Sequence, residues 1–209
     1  MKDLIIYLKE NNVEESQHLD KFISFLKENA KPGELKSNNK SYLDYFDKCD
    51  PFYNVKFSQN IDNSSWAEDY CEEHDIDSIY DDEENFIKYV KDIVNDQLEL
   101  DLERGLIKIE RVIDVTSSFS KYKGNIGIYW TYIEGFGDSY GAYSYKNNIT
   151  ICALVDPKDV NWEETIAANL IDPEEYELTL KENAPIQITK ILGKDRQKTI
   201  LKENLLYNA

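Results

Sequence analysis

The chain has 209 residues, 41% of them hydrophobic, with 15 Tyr, 8 Phe and 3 Trp. That is material for one generous domain, or a domain with a helical appendage, and it excludes a globally disordered chain. The formal net charge is −17, and residues 1–100 carry 24 acidic against 11 basic side chains, whereas residues 101–209 carry 17 against 13. An acidic body repels phosphate backbones at long range, which argues against a general nucleic-acid binder and suits a basic protein partner.

Residues 1–30 read as helices: Leu19, Phe22, Ile23 and Leu26 fall on one helical face, and "KPG" at 31–33 is a stop signal. "SYLDYFDKCDPFYNVKF" is mixed, and Pro51 bars a helix through that point. "SSWAEDYCEEH" at 64–74 opens on a serine suited to an N-cap and has an acidic first turn. "DDEENFIKYVKDIVNDQLELDLERG" is the clearest helix, with a stripe of Phe86, Ile87, Val90, Ile93, Val94 and Leu98 and Gly105 as its stop.

The character then changes. "LIKIERVIDV" alternates and is β-branched, so a strand is expected. "GNIGIYWTYI" and "NNITICALV" predict two more, "NWEETIAANLI" a short helix, and "YELTL" and "APIQITKIL" two further strands joined by a hairpin-length "KENA". "TILKENLLYNA" is a terminal helix or strand. Helices first and strands after argue for an α+β fold, with a boundary near 100–105: an acidic, mainly helical region over 1–104 and a β-rich region over 105–209.

Three cysteines, Cys49, Cys71 and Cys152, are sparse and odd in number, which fits a reducing compartment better than a disulfide scaffold. The N-terminal apolar run is too short for a signal-peptide core, and no stretch approaches a membrane span. A cytoplasmic protein with no membrane partner is expected. Cys71 and His74 sit three apart on a predicted helix, but with only the distant Cys49 to join them they do not make a metal site. No phosphate loop, dinucleotide glycine fingerprint or nucleophile elbow is present.

The chemistry-bearing residues gather in the second half. Arg111 interrupts an apolar strand, where a guanidinium on a rigid element can fork onto a phosphate or ribose oxygen; an edge arginine pointing to water is the plainer alternative. Residues 124–145 combine Tyr129, Trp130, Tyr132, Phe136 and Tyr140 with five glycines, which allow close backbone approach to a ligand beside rings able to stack on it. "PEEYELTL" places Glu175 and Glu177 at i and i+2, on one face if the strand extends over both. The plainer alternative there is a solvated strand edge guarded by charge. The basic residues between 121 and 198, Lys190 and Arg196 among them, read as ordinary solvated surface.

"GIYWTYIEGFGDSY", with Tyr140 thirteen residues after Gly127, resembles the "GIYF" segment and following ligand-stacking tyrosine of the ADP-ribosyltransferases, the family of bacterial toxins and poly(ADP-ribose) polymerases. Arg111 is similar to the first-strand arginine of the arginine-type enzymes. "EYELTL" resembles their Glu-x-Glu motif, and "NAPIQITKI" the strand after it. The resemblance covers about residues 106–192. The Ser-Thr-Ser triplet is missing, with "YWT" and only Thr131 in its place, and so is the polymerases' first-strand histidine.

The resemblance implies an antiparallel split β-sandwich and an NAD-dependent transferase, possessing a toxin-like activity, that releases nicotinamide and passes ADP-ribose to a macromolecule, protein rather than nucleic acid. Glu177 would stabilise the oxocarbenium-like transition state and Glu175 would orient the acceptor. Arg111, Gly127, Tyr129, Thr131 and Tyr140 would hold NAD, and an antitoxin or regulatory protein would be a natural partner. Arg111, Tyr140 and Glu177 should then meet in one cleft. A second class of reading takes the acidic, aromatic-rich chain as a non-enzymatic immunity-type protein that neutralises a basic partner.

Overall fold

A computed structural model describes residues 18–36, 41–49, 65–115, 126–136, 148–171, 176–193, 196 and 198–209. The fold is α+β, built on an antiparallel sheet. Its centre is three long strands, β3 (Leu106–Asp114), β5 (Asn148–Val155) and β7 (Pro185–Leu192), with β5 in the middle. Both outer edges fork. On the edge of β3 lie the short β2 (Leu100–Asp101) and β4 (Tyr129–Thr131), and β4 carries β6 (Glu177–Thr179). On the edge of β7 lie β8 (Thr199–Leu201) and β9 (Leu205–Asn208), and β9 carries β1 (Lys31–Pro32).

Alternation along the central strands gives the sheet two unlike faces. Ile107, Ile109 and Ile113 of β3 lie opposite Val155, Ala153 and Ile149 of β5, and all are buried. They share one hydrophobic cluster with the helices. Each such isoleucine contributes about 1.5–3 kcal/mol relative to an exposed one. The other face carries Lys108, Glu110 and Asp114, with Cys152, Leu154, Gln187 and Lys190 across from them on β5 and β7.

The helices supply the cover. α1 (His18–Asn29) buries Phe22, Phe25 and Leu26, and the Phe25 ring meets Tyr207 of β9 edge-on. α2 (Leu43–Phe46) packs Phe46 against Trp162 at the start of α5 (Trp162–Ile171), rings 5.1 Å apart. α3 (Ser65–His74) meets α4 (Glu83–Gln97) through Tyr70 and Phe86. α4 buries Phe86, Val90 and Val94, the i, i+4, i+8 stripe expected of it. Strands β1 and β2 come from the acidic half and join the sheet of the other half, so the change of character near residue 104 falls inside a shared core.

Two local expectations are corrected. The long helix ends at Gln97, not at Gly105: Leu98 turns extended (ψ 124°), and Leu100–Asp101 pair with Leu106 and Ile107. Gly105 (φ 62°) closes the tight turn between β2 and β3, its N–H bonded to the Asp101 carbonyl at 2.7 Å. "KENA" is not a hairpin, because β6 pairs with β4 while β7 pairs with β5 and β9. Residues 180–184 instead join strands four places apart in the sheet. Laid flat, four spacings of about 4.8 Å need almost the full extension of that link. The link contains a turn, Ala184 N–H to Lys181 O, so the sheet must curl to bring β6 back toward β7. A bridge between Val160, just beyond β5, and Leu180, just beyond β6, closes this curl. The C-terminal stretch takes the strand alternative, as β8 and β9.

Among the described residues no helix is long and apolar enough to cross a membrane.

Candidate functional site

β4 and β6 bring together segments almost fifty residues apart in sequence. Tyr129 lies opposite Thr179, Trp130 opposite Leu178 and Thr131 opposite Glu177, and Thr131 also pairs with Glu110 of β3. Opposite residues of an antiparallel pair share a face. Glu110, Thr131 and Glu177 therefore form one cross-strand row, with Tyr129 and Thr179 beside it on the same face. Tyr129 is exposed, at 51%, whereas its neighbour Trp130 is buried and donates its indole N–H to the Gly127 carbonyl.

Glu177 is half-buried and accepts a hydrogen bond from the Thr179 hydroxyl at 3.0 Å. Its backbone is fixed from α5. Asn169 donates its amide to the Glu177 carbonyl at 2.7 Å and accepts from the Tyr132 hydroxyl at 3.1 Å, and the Thr165 hydroxyl accepts the Thr179 N–H at 3.0 Å. Thr165 and Asn169, one helical turn apart, are both fully buried. The sequence signal for them is two hydrogen-bonding side chains at i and i+4 among Ile166, Ala167 and Leu170. The preceding residue, Tyr176, holds a left-handed backbone (φ 46°), and its ring packs edge-on against Tyr132 and Phe136.

Of the residues singled out from sequence, Tyr129, Thr131 and Glu177 share a face. Arg111 does not join them. It follows Glu110 along β3, so alternation sends it to the apolar face. Its guanidinium donates to the Tyr129 carbonyl and lies against Gly127, where an added Cβ would come within 3.0–3.1 Å of it. Gly127 is also left-handed (φ 84°), so both backbone and space favour glycine there. Tyr140 and Glu175 lie outside the described residues. Strand β6 begins at Glu177, so the alternation expected to put Glu175 and Glu177 on one face stops at Tyr176.

The strongest polar contact on this face was not foreseen. The Glu110 carboxylate, 7% exposed, takes a forked pair of hydrogen bonds from Arg196 at 2.5 and 2.9 Å, one from the Gly135 N–H at 3.0 Å and one from the Cys152 thiol at 3.2 Å. Burial alone would raise its pKa. Arg196, Gly135 and Cys152 outweigh burial and hold it below the ordinary carboxylate value. Burial and the Glu110 charge together push the Cys152 thiol up to about 12. Arg196, expected as solvated surface, is thus a half-buried clasp that also reaches Glu134 at 3.1 Å. It does so from a left-handed backbone (φ 58°).

Elsewhere, His74 bonds the Tyr70 carbonyl through Nδ1 at 2.9 Å and stacks on the Tyr70 ring. Among the described residues no three His, Cys, Asp or Glu side chains gather as metal ligands. No protein family, curated protein or solved structure matches the chain.

Proposed function

We propose that the protein transfers ADP-ribose from NAD to a macromolecular acceptor, with Glu177 as the carboxylate that stabilises the ribosyl cation. The observation that carries this reading is the diagonal placement of exposed Tyr129 and half-buried Glu177 on one face of adjacent strands. A flat heteroaromatic ring can stack on the tyrosine while its ribose reaches the carboxylate. Thr131, opposite Glu177, and the Thr179 hydroxyl on its carboxylate orient the acid. Assignment of the forked sheet to the ADP-ribosyltransferase split sandwich belongs to the same proposal.

The reading is narrower than the sequence resemblance implies. Arg111 becomes a positioning residue that braces Gly127 and the Tyr129 carbonyl, rather than a group that binds NAD. Incubation with NAD should release nicotinamide, and Glu177→Gln should slow release by about 100-fold or more with an unchanged melting temperature. Equal rates for that variant and the wild type would remove the proposal.

One observation favours a second reading, capture of a basic protein. α3 and α4 expose Glu68, Asp69, Glu72, Glu73, Glu83, Glu84, Asp92 and Asp96, with Lys88 the one exposed lysine or arginine on the two helices. Such a field speeds association with a cationic partner and is screened by salt. A pull-down that recovers the same proteins at low and high salt, or none at either, would count against it.

A further inference from the structure

The polar face of the sheet carries a cavity of about 290 Å³, floored by β3, β5 and β7 and separate from the Tyr129–Glu177 pair. A bulge makes part of its wall. Cys152 pairs with Lys190 and Ala153 with Ile188, so Thr189 is an extra residue, and both Thr189 and Lys190 line the cavity where regular alternation would turn one of them away.

The charges around the cavity are almost all matched. Arg104 holds Asp101 at 2.6 Å, Lys108 holds Glu99 at 3.2 Å, and Arg196 holds Glu110 and Glu134. Lys190 is the exception: half-buried, with no acceptor or ion-pair partner among the described residues. A second unmet donor lies next to the wall. Gln187, beside the lining residue Leu154, is fully buried. Its Oε1 accepts from Leu35 N–H at 2.8 Å and Arg104 at 3.2 Å, while its Nε2 has no partner. The acids have donors, and of the two unmet donors Lys190 is the one that lines the cavity. The unpaired Lys190 ammonium suits a ligand that brings an acceptor oxygen to it.

We infer that this cavity binds a small organic anion, its phosphate or carboxylate on the Lys190 ammonium and its apolar part against Leu154 and Ile133. The volume sits at the lower end for small-molecule sites and suits a ligand well below dinucleotide size. A half-buried ammonium binds an anion more strongly than a solvated one does, because the surrounding dielectric is lower. This inference stands apart from NAD cleavage, since neither Tyr129 nor Glu177 lines the cavity.

The test is calorimetric titration of the full chain with phenyl phosphate and with benzoate, against neutral benzyl alcohol. At least one anion should bind saturably with a Kd of about 1 mM or tighter, and the alcohol should not. Lys190→Gln should weaken that binding by about tenfold or more, Lys190→Arg should keep it, and Glu177→Gln should bind as the wild type does. Absence of saturable binding by both anions, equal binding of the alcohol, equal binding by Lys190→Gln, or loss of binding in Glu177→Gln would each overturn the inference.

Discussion

Glu110 and Arg111 are neighbours in sequence and belong to different worlds. Glu110 points to the polar face, where four donated hydrogen bonds hold a buried carboxylate in one place. Arg111 points to the apolar face, and its guanidinium reaches a strand carbonyl and a glycine. The contrast teaches that an ionisable residue in an apolar strand has no meaning until its face is known. The polar face holds Glu110 in a network of charge, whereas Arg111 is held by a backbone carbonyl and by the space that Gly127 leaves for it.

The comparison breaks most sharply at the network. Glu110→Ala takes the main partner from the half-buried Arg196 and strips a buried network of its acceptor, which should cost about 1–3 kcal/mol in denaturant unfolding. Because the Glu110 pKa is depressed in the folded state, its contribution is complete above the ordinary glutamate value and is lost as pH falls through the lower folded value. The wild type should therefore lose stability on acidification, and Glu110→Gln should lose less over the same window.

Gly127→Ala tests the other face, since the added methyl meets the Arg111 guanidinium at a left-handed backbone. About 1–3 kcal/mol of destabilisation is expected by the same measurement. Ile151→Val, a single methylene removed from the fully buried centre of β5, should cost about 0.5–1.5 kcal/mol. Tyr129→Ala should change stability by less than about 0.5 kcal/mol, because half of that side chain is already in water, yet reduce nicotinamide release from NAD. A large stability loss there would mean that Tyr129 belongs with the packed core and not with a ligand surface.

Much of the fold was legible. The β-branched run of Leu106–Asp114 and the apolar run of Asn148–Val155 are strands because alternation and burial agree. The helix stripe Phe86, Val90, Val94 follows from the sequence and the helix end does not, because Leu98 and Leu100 continue the apolar count while packing from extended backbone. The site was legible only along single strands. That Thr131 faces Glu177 follows from register, which depends on partners nearly fifty residues away. Arg196 was missed for the same reason: its carboxylate partner lies 86 residues earlier in the chain.

The five residues that carry the chain from β6 to β7 have little slack. Most surface connections tolerate added length, since doubling a loop costs only about 0.6 kcal/mol in closure entropy. Residues 180–184 hold two parts of a curled sheet together, so their length acts as a dimension of the fold. An insertion there would relax the curl and shift the strand bearing Glu177 relative to the strand bearing Lys190.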